Sequence, residues 1–439
     1  MALVIVGVVI IAGTAYVDRQ WRNGQVWSDA LVAREGRPFW DDCIPIVTRE
    51  IDAGNVPPSV LMQELADTDL GKDLTHLLRL DLREHLVAVE LPIEVWESLT
   101  ASGRVPAPGT REVLAGPLCR LDSFTVDGEW FDVVGRLQPA TSGFSFSYLT
   151  RSDGPGQRLF TENRGAYRGW VHPQGIRRLK DPSFRPDEKN TVMLVQGYTP
   201  VPFGRSLLAG AGVALVVIGG SLAQIRILRR LNDTVPFFCA ILDRIDLHSR
   251  LFVGAHISCY GVYAAFGFLA CLFPIANLRV LTVLTGLFTE GDLKHLGDAY
   301  IAGDVAGAAW ATFVNNFYVQ TLQLTILPSM IIPFWGVGKT LLSLAIAGFA
   351  LSPIWSNMLS RFTYHSITVS LEIEAYVLAM FAVCLYPVLI ARGIRQGTFA
   401  GALRDGLAVM GSATVLAGAM LALAAGYEAV TLILLDQFL

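Results

Sequence analysis

Two carboxylates stand where a carboxylate is expensive. Glu372 and Glu374 lie about six to eight residues into the apolar run 366–391, with Tyr376 just beyond, and Asn315 and Asn316 interrupt the apolar run 307–332. An ionised carboxylate in hydrocarbon costs at least a few kcal/mol, so such residues face protein or a water-filled cavity. Glu372 and Tyr376 are four apart and share a helix face, so the phenol could donate to the carboxylate. The two asparagines sit at comparable depth and can hydrogen-bond across helices. One chemistry that these five residues support is a polar cluster lining a pathway or a moving interface. The other is helix–helix glue, with a carboxylate that snorkels to the membrane surface. Both readings stay open for Glu372, whereas the asparagines point first to glue.

No competing chemistry stands out. Gly336-Val337-Gly338-Lys339-Thr340 mimics part of a phosphate loop, but Pro333 occupies the place of the required first glycine and no strand precedes it. Lys339 reads instead as an anchor at the cytoplasmic interface. The seven histidines are scattered, and neither they nor the six cysteines have zinc-site spacing. No nucleophile–base pair points to a hydrolase, and Ser152 lacks an elbow motif. The expectation is a non-enzyme without cofactor or metal. A net charge of −4 gives no reason to expect a nucleic-acid partner.

The elements that must position these residues are membrane spans. Hydrophobic residues make up 52 % of the 439-residue chain and charged residues 16 %, against about 25 % charged in soluble domains. The apolar residues are unevenly placed. Residues 1–17 are apolar, 18–203 read as one water-soluble domain, and 204–439 are largely hydrocarbon-compatible. At about 20 helical residues per crossing, candidate spans are 1–17, 206–225, 251–275, 307–332, 340–358, 366–391 and 405–435, about seven in all. The first reads as an uncleaved anchor, since no Lys or Arg precedes it; a signal peptide cut after Ala15 is the rival reading. Arg226, Arg229 and Arg230 follow the second span and belong in the cytoplasm. Residues 18–203 then fall outside, and Lys339, Arg392, Arg395 and Arg404 fall inside. Arg279, Lys294 and Arg361 are a minority on the outer side.

The segment 226–250 carries Phe238 and Ile241 among apolar residues at helical spacing, interleaved with Arg229, Arg230 and Arg244. It reads as an amphipathic helix on the inner surface. Leu278–Tyr300 reads as an outer-face amphipathic or re-entrant segment. In the soluble stretch, helices are expected over Pro57–Asp69 and Pro92–Ser102, each opened by proline. A hairpin is expected from Ser123–Val126 and Trp130–Leu137 around Asp127-Gly128. Phe144–Leu149, Arg158–Thr161 and Thr191–Gln196 are further strand candidates, and Arg177–Lys189 is an exposed loop. The fold expected is thus a polytopic α-helical membrane protein with one extracytoplasmic α+β domain between spans 1 and 2. Cys43 and Cys119, the only cysteines of that domain, could pair in an oxidising compartment.

Two resemblances bear on function. From Gly103-Arg104-Val105-Pro106 through Glu112-Val113-Leu114-Ala115-Gly116 to Phe131-Asp132-Val133-Val134-Gly135, the chain resembles the periplasmic core domain of macrolide-exporter-type ABC permeases. From about Gly303 to Pro387 it resembles the stage II sporulation protein M family. The residues that carry this are Val314-Asn315-Asn316, the broken stretch Ile332-Pro333-Phe334-Trp335-Gly336, Ala347–Pro353, and the Glu-x-x-Ala-Tyr-x-x-Ala motif from Glu372 to Ala379. Thr368 and Val369 stand where many members have His-Gly. The second resemblance implies a non-enzymatic membrane subunit, transport-associated or scaffolding, with lipid and protein partners. The first implies the alternative, a permease subunit whose 226–250 helix contacts a cytoplasmic ATPase.

Overall fold

The computed structural model describes residues 2–23, 31–34, 43–51, 85–117, 119, 121–126, 128–138, 144, 147–153, 166–172, 193–195, 200–232, 239–289, 291 and 293–435. The chain divides into two compact units, one built from residues 17–201 with 355–357, the other from 1–16, 202–354 and 358–439.

Helix α1 (Ala2–Asn23) opens the chain. The sheet unit follows, with β1 (Leu31–Arg34), β2 (Ile44–Glu50), β3 (His85–Val89), α2 (Ile93–Leu99), β4 (Thr100–Gly103), β5 (Glu112–Ala115), β6 (Ser123–Val126), β7 (Glu129–Leu137), β8 (Ser147–Arg151), β9 (Ala166–His172) and β10 (Met193–Val195). The strands form one sheet in the order β10-β1-β9-β2-β3-β8-β5-β7-β4, with β6 beside β7. Pairs β3–β8 and β5–β7 are parallel and the other pairs antiparallel.

The central strands bury both faces, as the pleat dictates when each side is covered. Val87, Leu114 and Leu149 face a cluster with Trp96, Leu99 and Leu137. Their neighbours Leu86, Val113 and Tyr148 face another with Phe124 and Phe131. The expected hairpin is present, with Val126 opposite Glu129 and Gly128 at φ +81°, a conformation glycine adopts without Cβ strain. Phe124 and Phe131 stack across it at 5.5 Å. The helix expected to Ser102 stops at Leu99. Thr100 turns extended, and Thr100–Gly103 pairs with β7 instead, so sheet pairing overrides helical propensity. Phe144 is a buried core residue, and its strand begins at Ser147. Of the last expected strand, Met193–Val195 is described and is a strand, and the rest of Thr191–Gln196 lies outside the described residues. Cys119 is buried in the core, and Cys43 is half-exposed before β2. The expectations for Pro57–Asp69, Arg158–Thr161 and Arg177–Lys189 lie outside the described residues. Glu112, at the start of β5, is bridged to Arg104 by a bidentate pair and accepts the Ala107 amide at 2.9 Å. It therefore ties down the β4–β5 connection.

The other unit is helical. It contains α3 (Phe203–Asn232), α4 (Cys239–Leu247), α5 (Ser249–Leu272), α6 (Pro274–Thr289), α7 (Lys294–Ile301), α8 (Val305–Phe313), a π-helical segment (Val314–Ile326), α9 (Trp335–Ala350), α10 (Ser356–Arg395) and α11 (Phe399–Val430). Among the described residues, five helices are long and apolar enough to cross a membrane: α1, α3, α5, α10 and α11. The chain is thus compatible with a membrane protein carrying an additional sheet unit. The remaining two expected spans take other forms. Residues 305–329 are α8, the π segment and a short turn, and α9 has 16 residues.

Helix α10 is the centre of this unit, with 67 % of its apolar window buried against 17 % for α5. Its 40 residues accommodate Pro387 without a break. Helices α1 and α3 approach through small residues. A Cβ on Gly212 would sit 2.8 Å from Ile11 and 2.9 Å from the Gly7 carbonyl, and one on Gly219 would sit 2.8 Å from Val4. Such close backbone approach is how helices pack where the solvent is itself apolar. The segment 278–300 is the end of α6 and most of α7, and Asn277 just before it is fully buried, its amide donating to the Phe349 carbonyl.

Candidate functional site

The polar residues expected to form one cluster belong to two centres. Successive residues on a helix are 100° apart, so Glu372 and Glu374 leave α10 on opposite sides.

Glu374 is 2 % exposed. One oxygen accepts hydrogen bonds from Ser221 of α3 and from the Tyr260 hydroxyl of α5, the latter at 2.8 Å. Its other oxygen lies 3.1 Å from His256 Nε2, while Nδ1 of the same ring lies 3.0 Å from the Phe252 carbonyl. The carbonyl can only accept, so Nδ1 carries a hydrogen. The proton between Nε2 and the carboxyl then belongs either to an imidazolium paired with a carboxylate or to a neutral acid facing a neutral ring. In both cases α3, α5 and α10 are joined at one point.

Glu372 has a different setting. Asn316 of the π segment donates to it at 2.7 Å, and Asn315 donates to the Asn316 oxygen at 3.0 Å. Glu428, near the end of α11, acts on Glu372 electrostatically, and both carboxyls act on Tyr300 and Tyr376. Tyr376 makes no hydrogen bond to Glu372, so the expected phenol–carboxylate bond is replaced by proximity. The carboxyl of Glu428 has no hydrogen-bond donor among the described contacts. Its nearest partner is His365 Nδ1, at 3.8 Å, too far for a hydrogen bond.

The π segment sets the orientation of the asparagines. Its wider turn is lined by Thr321, which donates to the Asn316 carbonyl at 2.7 Å, and Thr325, which donates to the Gln320 carbonyl at 2.8 Å, each five residues back. Lys339, expected as an anchor at the cytoplasmic interface, has a specific partner within the bundle. It turns towards the π segment and donates to the Gln320 side chain at 2.7 Å and its carbonyl at 3.1 Å. Pro328 has no amide hydrogen for the Leu324 carbonyl four residues back, and the Trp335 indole supplies that donor at 2.9 Å.

The described residues of the expected inner-surface helix fall in two elements, and 233–238 lie outside the described residues. Arg229 and Arg230 lie on the last turns of α3, Phe238 lies outside the described residues, and Ile241 and Arg244 belong to α4. Ile241 is fully buried in the bundle core, and Arg244 pairs with Asp405 of α11 at 3.1 Å. The apolar face of α4 is therefore occupied by this chain's own core. Arg229, 73 % exposed, is 4.0 Å from Asp246, a pair of little energetic weight.

Sequence reasoning passed over Ser221, His256, Tyr260, His365 and Glu428. The rule that singled out Glu372, an ionisable group inside an apolar run, applies equally to Glu428 and to His256 with Tyr260 one turn on. Ser221 carries no such signal. Among the described residues no three His, Cys, Asp or Glu side chains converge as metal ligands. No protein-family model matches the chain, and neither a curated protein nor a solved structure is detectably similar to it.

Proposed function

We propose that this chain is a non-enzymatic integral subunit of the inner membrane, transport-associated or scaffolding, of the kind that the stage II sporulation protein M resemblance implies. The reading is carried by the Glu372 centre. Packed glue satisfies its polar groups, as the Glu374 centre does. Around Glu372, one amide donates to one of two carboxyls, and an under-supplied polar tract suits a hydrated pathway or a moving interface better. The test is accessibility. In a chain whose native cysteines are replaced by alanine, cysteines at Asn316 and Thr368 should react with a small hydrophilic thiol reagent, and one at Ala379 should not. Equal protection at all three positions refutes the pathway.

In this reading the N-terminus and Arg226, Arg229 and Arg230 are cytoplasmic, residues 18–203 are extracytoplasmic, and all seven apolar segments cross. The distribution of Lys and Arg supports it. A cysteine at Ser152 should then label with an impermeant reagent in intact cells; labelling only after lysis reverses the topology. The permease alternative needs a docking face for an ATPase on 226–250. Burial of Ile241 removes part of that face, so the first reading is preferred.

A further inference from the structure

We propose that Glu372 and Glu428 together form a proton-binding site, with one exchangeable proton held on the pair. This deepens the transport reading above and rests on it, since a tract that admits water is what lets the proton exchange.

The argument begins from the contrast between the two centres. Glu374 has three hydrogen-bond partners from three residues. Glu372 has one amide donor, and Glu428 has none among the described contacts. Two carboxylates that act on each other with so few donors repel, and the Glu428 side chain is only 16 % exposed. One proton on the pair removes the repulsion.

A second, independent observation points into the same place. Thr368, one turn before Glu372 on the same face of α10, is fully buried, and its hydroxyl has no hydrogen-bond partner. The Tyr263 hydroxyl of α5, within electrostatic reach of Glu372, is likewise buried and unpartnered, as is His365 Nδ1. Buried polar atoms are normally satisfied, so three unpartnered ones beside two under-supplied carboxyls mark a site that takes up something polar. The groups facing the pair are His365 and Tyr376 from α10, Tyr263 from α5, Tyr300 from α7 and Asn316 from the π segment, with Arg361 acting on His365. Among the described residues that set holds no three convergent metal ligands. Uptake forms one O–H bond on a carboxylate at the expense of a hydronium ion, leaving water, and release reverses this.

The test uses the purified full chain in lipid nanodiscs, with no substrate. The infrared spectrum near neutral pH should show a protonated-carboxyl band that is lost in the Glu372→Gln/Glu428→Gln double variant and retained in Glu374→Gln. An identical band in wild type and double variant, or no band in wild type, overturns the proposal. If the double variant does not fold, a hydrophobic carbodiimide decides on the wild-type protein. It reacts only with the protonated acid, whose proton goes to a nitrogen while the carboxyl oxygen adds to the central carbon. Peptide mass spectrometry should then find Glu372 or Glu428 modified several-fold more than Glu374, and less at higher pH. Modification of neither, or of Glu374 equally, overturns it. Proton occupancy is read here without transport, so failure of the cysteine-accessibility test would discard the pathway and leave this result standing or falling by itself.

Discussion

Removing the Glu374 carboxyl should cost less than its three hydrogen bonds suggest, and the structure says why. In Glu374→Ala, Ser221 keeps the Val217 carbonyl at 2.9 Å, and Tyr260 can close on the Ser370 carbonyl, now at 3.4 Å. Only His256 Nε2 has no second partner. A hydrogen bond to a charged group contributes about 1.5–3 kcal/mol and an orphaned buried group costs about 1–3 kcal/mol. With two donors re-housed, the loss should be about 3 kcal/mol. Glu374→Gln should lose about 1 kcal/mol or less. With Nδ1 protonated towards Phe252, Nε2 of a neutral His256 accepts from the new amide, while the amide oxygen still serves Ser221 and Tyr260. Pairing these changes with His256→Ala in a double-mutant cycle should give a coupling of about 1.5–3 kcal/mol to Glu374→Ala. The assay is the denaturant midpoint of the full chain in micelles, followed by tryptophan fluorescence. A Gln variant as unstable as the Ala variant, or an Ala variant as stable as wild type, refutes the reasoning.

Gly212→Leu should separate α1 from α3, because a Cβ there already sits 2.8 Å from Ile11. Loss of a crosslink between cysteines placed at Ile11 and Val216, which share one buried cluster, would report it, and an unchanged crosslink would contradict the close packing. Ile241→Asp should reduce the yield of folded protein by burying an unpaired charge, a loss of at least about 3 kcal/mol. Arg229→Ala should change stability by no more than about 0.5 kcal/mol, and equal yields from both would show that α4 does not pack in the core. The hydrogen bond from Arg104 holds the Glu112 carboxyl below the usual carboxylate range. Its contribution is therefore complete above the unfolded value of about 4.3 and is lost as pH falls through the lowered one. Amide exchange over 107–115, corrected for intrinsic rate, should lose protection in acid in the wild type but not in Glu112→Gln; the same acid response in both refutes the assignment.

What was legible in the sequence follows from what acts locally. Apolar runs become helices because hydrocarbon length and backbone satisfaction leave little choice, and Asp127-Gly128 specifies its hairpin through the geometry of two residues. Strands β1, β2, β3, β5 and β9 went unseen because their pairing partners are distant, as when β3 takes up β8 in parallel. Glu372 was found with its asparagine partner, since depth in an apolar run signals both. Its separation from Glu374 was a matter of helix angle, and the identity of Ser221 as a partner was fixed only by packing. The pairing of Lys339 with Gln320 depended on the π segment, whose hydrogen-bond shift leaves no mark in hydropathy.

That π segment has a mechanical consequence. Its extra residue per turn is a stored rotation, held at the far end by the Trp335 indole on the Leu324 carbonyl and by Lys339 on Gln320. If one turn tightened to α geometry, every residue on its free side would swing by about 100°. Asn316 would leave Glu372 without either end of the helix unfolding or tilting. A change of this kind would turn the segment rather than bend it, a screw rather than a hinge, with its travel counted in single residues.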